Sequence, residues 1–150
     1  MALELDIRLE GERQIAKILS DLPAKANDLK KPFTAGGDFI LRETKRVFSS
    51  KGSSIDEPWP ARSPAYEAKA TWPILDKTSK MKTSFKRTAT KTSLRVENPT
   101  KYFKYHQSRR PRSRLPRRPM LKLTPPIARF IAVAIQREYE DYLKARVRDR

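Results

Sequence analysis

Apolar and charged residues alternate strictly at the start of the chain, with Leu3, Leu5, Ile7 and Leu9 set against Glu4, Asp6, Arg8 and Glu10. A period of two predicts a half-buried strand, which Gly11 closes. The period then lengthens, and Ile15, Ile18, Leu19 and Leu22 fall at helical spacing up to Pro23. A longer helical region follows over roughly residues 24–50, with Ala26, Leu29, Phe33, Phe39, Ile40, Thr44, Val47 and Phe48 on its apolar side. Pro32 lacks an N–H donor and the Gly36-Gly37 pair weakens a helix interior, so a break or kink is expected there. Lys51 to Ser54 reads as a loop.

Beyond Gly52 the punctuation changes. All four glycines lie at or before that position, whereas ten of the twelve prolines come after it. Turns in the second part must therefore be made by Pro, Asn, Ser and Asp, as in Glu57-Pro58-Trp59-Pro60 and Asn98-Pro99. Thr83 to Ala89 and Thr92 to Glu97 are short stretches rich in β-branched residues. Leu94 and Val96 alternate with Arg95 and Glu97, which predicts antiparallel strands with one wet face. Thr90-Lys91 would connect them, a poor turn without glycine or asparagine. The final element is the clearest helix: Thr124 can cap it and Pro125 suits its first position. Ile127, Phe130, Ile131, Ala134, Ile135, Tyr139, Tyr142 and Leu143 form one stripe. Its charged end, Lys144 to Arg150, is expected to fray. The pattern predicts an α+β fold in a single domain over residues 1–150. A small antiparallel sheet packs against N-terminal helices and a C-terminal amphipathic helix.

Composition narrows this picture. Hydrophobic residues make up 37% and charged residues 34% of the 150 residues, so the core is modest and much surface is left for solvent or partners. No apolar run approaches the length that spans a membrane, and the N-terminus lacks signal-peptide features, so no membrane partner is expected. Without cysteine there is no disulfide and no thiolate zinc site. The net charge of +17 is unevenly spread. Residues 1–60 hold 10 basic and 10 acidic side chains, residues 61–123 hold 18 and 3, and residues 124–150 hold 6 and 4. The surplus belongs to the middle, which points to an anionic partner, nucleic acid or acidic protein.

Catalytic chemistry finds little footing. His106 is the single histidine, no Gly-x-Ser-x-Gly elbow exists, and the glycine patterns that cradle phosphates are absent. The paired acids Asp56-Glu57 and Glu140-Asp141 suit solvated positions better than acid–base work. We expect no enzyme, no catalytic residue, no cofactor and no metal site. His106 reads as a structural hydrogen-bonding residue beside Gln107. The basic run from Ser108 to Arg118 contains Arg109, Arg110, Arg112, Arg114, Arg117 and Arg118, and prolines make it an extended loop or hairpin tip. Its guanidinium forks suit a protein interface or a DNA channel equally. A second cluster comprises Lys77, Lys80, Lys82, Lys86, Arg87 and Lys91. Tyr102, Phe103 and Tyr105 could stack on bases, but their spacing better suits core packing of a short helical turn.

Four segments in order resemble the phage virion morphogenesis family, which includes tail-completion proteins of Mu-like phages. Glu57-Pro58-Trp59-Pro60 through Tyr66 is similar to the family's Trp-Pro-Leu-Ser-Pro-x-Tyr segment. Pro73-Ile74-Leu75 through Thr78, Ser79 and Phe85 resembles Pro-Ile-Leu-x-x-Thr-Gly-x-Leu-x-x-Ser. Asn98 to Gln107, with Tyr102, His106 and Gln107, resembles Tyr-Ala-x-x-His-Gln. Leu115-Pro116-Arg117-Arg118-Pro119-Met120-Leu121 is similar to Ile-Pro-x-Arg-Pro-Phe-Leu. The resemblance assigns structural roles to Trp59, Pro60, Tyr66, Thr78, Tyr102, His106, Gln107, Pro116, Arg118 and Pro119. Ser79 and Ser108 stand where the family pattern has glycine, so different turns are expected at both.

The resemblance implies a structural virion protein made in the host cytoplasm, which completes or terminates the phage tail at the head–tail junction. It implies a homo-oligomeric ring, a hexamer by resemblance. The implied partners are tail tube or sheath proteins and the head connector, and DNA could touch the ring in passing. A head-closure or neck protein is the near alternative, and a stand-alone, non-sequence-specific nucleic-acid-binding protein a more distant one.

Overall fold

The structure, a computed structural model, describes residues 28–109 and 115–148. The alternating strand at Leu3–Glu10 and the helical pattern at Ile15–Leu22 lie outside these residues. The described elements run in the order α1 (Lys30–Ser50), a short 3-10 turn (Ser53–Ile55), α2 (Pro64–Glu67), α3 (Lys80–Thr83), β1 (Lys86–Ala89), β2 (Leu94–Glu97), α4 (Phe103–Gln107) and α5 (Pro125–Arg148). Helices and a small two-stranded antiparallel sheet packed against them make the fold α+β, as the patterning predicts.

The described chain divides into two compact units. One takes in residues 41–86 and 97–122, the other residues 28–40, 87–96 and 123–148.

The second unit gathers the start of α1, the hairpin and α5. The kink expected at Pro32 and Gly36-Gly37 does not occur, because α1 is continuous from Lys30 to Ser50. Pro32 lies in the first turn, where its missing N–H has no intrahelical partner to lose, and the first regular bond runs from Phe33 N to Leu29 O at 3.0 Å. The two glycines mark close approach. A methyl group on Gly36 would lie 2.8 Å from Ile131 Cγ1, and one on Gly37 would lie 2.6 Å from Arg87 Cδ and 3.0 Å from Leu94 Cδ1. Phe39 and Phe130 stack with centroids 4.4 Å apart. Ile127, Ile131 and Ile135 are buried, as their stripe predicts, and Ala128 is buried beside them. Past Ile135 the stripe comes out of the core: Leu143 is exposed, and α5 stays helical to Arg148 where fraying was expected.

The hairpin shows how the chain turns without glycine. β1 begins at Lys86, since Thr83 ends α3, and β2 buries Val96 while exposing Arg95. Neither Lys91 nor Thr92 adopts a positive φ. Instead the Thr90 hydroxyl accepts hydrogen bonds from Ser93 N (3.0 Å) and Thr92 N (3.3 Å), and Thr90 N donates to Ser93 O (2.8 Å). A side-chain oxygen thus replaces the special backbone of a tight hairpin turn.

The first unit has few regular elements. α1 ends in a Schellman motif, with Gly52 N donating to Val47 O (2.9 Å) and Lys51 N to Phe48 O (3.3 Å). Lys51 takes the left-handed conformation usually given to glycine, and so do Asp56, Leu75 and Ser79. The turn at Ser79 therefore keeps a glycine-like backbone, contrary to expectation, while Ser108 is extended (φ −63°, ψ 138°). The core is a relay of edge-to-face rings, Trp59 to Phe48 (5.4 Å), Phe48 to Phe85 (6.4 Å) and Phe85 to Phe103 (5.6 Å). Each such pair adds about 0.5–1.5 kcal/mol beyond its burial.

Candidate functional site

Within the first unit the four resembling segments close on one another. The indole N–H of Trp59 donates to Pro119 O at 2.7 Å. Arg118, only 7% exposed, donates from Nε and Nη2 to Pro60 O (3.0 and 2.8 Å) and from Nη2 to Ala61 O (3.2 Å). Its own backbone N donates to His106 O at 3.0 Å. The Gln107 side chain acts as a strand partner for the last segment. Its Oε1 accepts from Met120 N (2.9 Å) and Leu121 N (3.1 Å), and its Nε2 donates to Leu121 O (2.5 Å). Asn98 ties in the remaining segment by donating to Met81 O (2.7 Å) while its Oδ1 accepts from Thr100 N (3.1 Å) and Oγ1 (2.7 Å).

Charges line the edge of this knot. Glu57 pairs with Arg117 and with Lys122 (3.4 Å), and Lys122 Nζ also donates to Ile55 O at 3.0 Å. Burial pushes the Glu57 carboxyl up, but Arg117 and Lys122 together outweigh it and hold its pKa below the usual 4.5. Burial, with the positive charge of Arg62 nearby, lowers the pKa of Arg118, whose Nε and Nη2 nevertheless donate to carbonyl oxygens. Asp76 is lowered chiefly by the Ser79 hydroxyl at 2.7 Å, with Lys82 at 3.2 Å helping against burial.

The structure thus brings together Trp59, Pro60, His106, Gln107, Arg118 and Pro119, with Pro116 half-buried nearby in sequence. Tyr66 is exposed and meets Trp72 edge-on at 6.4 Å, and Thr78 is exposed. The three aromatics expected in the core divide: Phe103 is buried, Tyr105 half-buried, and Tyr102 is 68% exposed. The arginine run divides as well. Arg117 and Arg118, read from sequence as part of an outward basic loop, are turned inward on Glu57 and the Pro60 carbonyl. Arg109 is exposed, and Arg110, Arg112 and Arg114 lie outside the described residues. Glu57, expected from sequence in a solvated position, is half-buried between Arg117 and Lys122, and only that spatial meeting marks Lys122. The second basic cluster is largely occupied: Arg87 holds Asp38 (2.7 Å), Lys82 holds Asp76, Lys91 faces Asp28 (3.9 Å), and Lys77 lies over the Trp72 ring (4.6 Å).

Among the described residues no group of three or more His, Cys, Asp or Glu side chains is placed to hold a metal ion. The side chains of Trp59, Asn98, Gln107 and Arg118 are directed at the main chain, and those of Arg117 and Lys122 at Glu57, an arrangement that fixes loops in place. Comparison with the curated proteins and with the solved structures finds no match. A family model does match, over residues 11–140, and it spans all four segments that meet at Trp59 and Arg118. The chain belongs to the phage virion morphogenesis family.

Proposed function

We propose that this protein completes or terminates the phage tail at the head–tail joint, as one subunit of a homo-oligomeric ring and without catalytic activity. Family membership makes it a virion-associated bacteriophage protein with a structural role in assembly. The finer reading is carried by one observation: the family segments converge on a knot in which Trp59, Gln107, Asn98 and Arg118 hold backbone. A unit stitched in this way is a rigid support for loops that meet neighbours. Those neighbours are further copies of the chain, the tail tube or sheath, and the head connector.

A ring needs a heterologous contact that closes by rotation. Size exclusion coupled to mass measurement is expected to find a closed multimer, alone or on addition of tail tube, and a strict monomer under both conditions counts against the ring. Particles assembled without the protein are expected to carry tails of uncontrolled length. Normal-length tails joined to full heads would overturn the proposal, and normal tails left unjoined would move the role to the neck.

A further inference from the structure

We propose that the outward face of α4 and its flanks, formed by Lys101, Tyr102, Lys104 and Arg109, binds the sugar–phosphate backbone of duplex DNA without reading its sequence. The inference begins from which cations the fold has already used. Arg62 faces Glu67 (3.3 Å), Lys82 faces Asp76, Arg87 faces Asp38, Lys91 faces Asp28, and Arg117 and Lys122 share Glu57. Arg118 is spent on carbonyl oxygens. Lys101, Lys104 and Arg109 are exposed and form no ion pair with a described acidic residue.

They lie within nine residues of one another, on α4 and its flanks. Phe103 and His106, three residues apart, both face the core. Lys104 falls on a different face of α4, and Lys101 and Arg109 stand exposed in the turn before the helix and in the extended stretch after it. The Lys104 ammonium rests over the Tyr105 ring at 5.0 Å, and Tyr102 presents its phenol to solvent. From Asn98 to Leu123 the sequence has no aspartate or glutamate, so this segment supplies no counter-charge of its own.

Two general facts choose the partner. Protein–protein interfaces are depleted in lysine and centred on apolar anchors, whereas protein–DNA interfaces are polar and strongly positive. Phosphate oxygens accept from lysine, arginine and tyrosine alike, which is the set displayed here. The proposal goes beyond the assembly role and does not depend on the ring.

The test titrates full-length protein into a labelled mixed-sequence duplex across a salt series, where log affinity falls by about 0.9 per phosphate contact for each decade of salt. Replacing Lys101, Lys104 and Arg109 together by glutamine is expected to flatten that slope by about 2–3 and weaken binding at least about tenfold at low salt. Lys101→Gln alone removes about one unit of slope. Lys45→Gln, an exposed cation elsewhere in the same unit, leaves the slope unchanged. A triple variant that keeps the wild-type slope overturns the proposal, and so does a Lys45→Gln variant that loses as much. Polyglutamate competing as well per charge as duplex would overturn it too, in favour of an acidic protein. Circular dichroism of each variant confirms that it is folded, and the particle phenotypes above judge the assembly role separately.

Discussion

Around Gly36 and Gly37 the chain is held by apolar surfaces in close approach, whereas around Trp59 and Arg118 it is held by polar side chains bonded to backbone. The difference follows from how much regular structure each unit has. Helices and a hairpin satisfy most of their own N–H and C=O groups, which leaves side chains free to pack. The stretch at 115–122 has little such bonding beyond Arg118 N to His106 O, and burying it against the Pro60 and Ala61 carbonyls demands side-chain partners. Trp59, Gln107 and Arg118 supply them. A chain that is proline-rich and without glycine after Gly52 meets in this way a requirement that tight turns and strands meet elsewhere.

The largest effect should come from cutting the stitched unit at its centre. Arg118→Leu keeps much of the volume but leaves the Pro60 and Ala61 carbonyls without their donors, at a cost of about 3–5 kcal/mol. Chemical denaturation would measure it, and a loss below about 1 kcal/mol would show that water replaces the guanidinium and that the knot is dispensable. In the packed unit, Gly36→Val drives a branched side chain into Ile131 and should cost about 2–3 kcal/mol. Adding Ile131→Ala should recover part of that loss, because the two positions touch. Additive losses would place the strain elsewhere.

A smaller effect separates the units by pH. The Glu57 carboxyl has its folded pKa held below 4.5, so its contribution is present above that value and is lost as pH falls through the lowered one. Glu57→Gln should therefore flatten the acid limb of the stability curve below about pH 4.5. An unchanged limb would mean that Arg117 and Lys122 find water as good a partner. The smallest effect concerns Ser79. Both Ser79→Ala and Ser79→Gly remove the hydroxyl and should let the Asp76 pKa rise toward its ordinary value, readable by NMR titration. Only glycine relieves the left-handed backbone, so the glycine variant should be more stable than the alanine variant by about 1 kcal/mol. Equal stabilities would show that the turn rearranges.

Much of the packed unit was legible in advance. The Ile127–Ile135 stripe and the Leu94–Val96 alternation are local, and a period in the sequence becomes a buried face directly. Helix propensity treats glycine as a weakness, so the sequence predicts a kink at Gly36-Gly37 that the continuous α1 does not have. Here the missing Cβ is a space that Ile131, Arg87 and Leu94 occupy. The stitched unit was legible only as a set of motifs. Its bonds join residues about sixty positions apart, such as Trp59 with Pro119 and Pro60 with Arg118.

By itself, then, the sequence determined the hairpin, the final helix, the placement of the charge surplus and the family. Only tertiary structure decided which cations remain available. Arg109 and Arg118 belong to one arginine-rich run and carry the same chemistry, yet one faces solvent and the other is buried on carbonyl oxygens. Charge is a property of the residue, but its availability depends on what the fold brings within hydrogen-bonding reach. For Arg118 that is a main chain fifty-eight residues away.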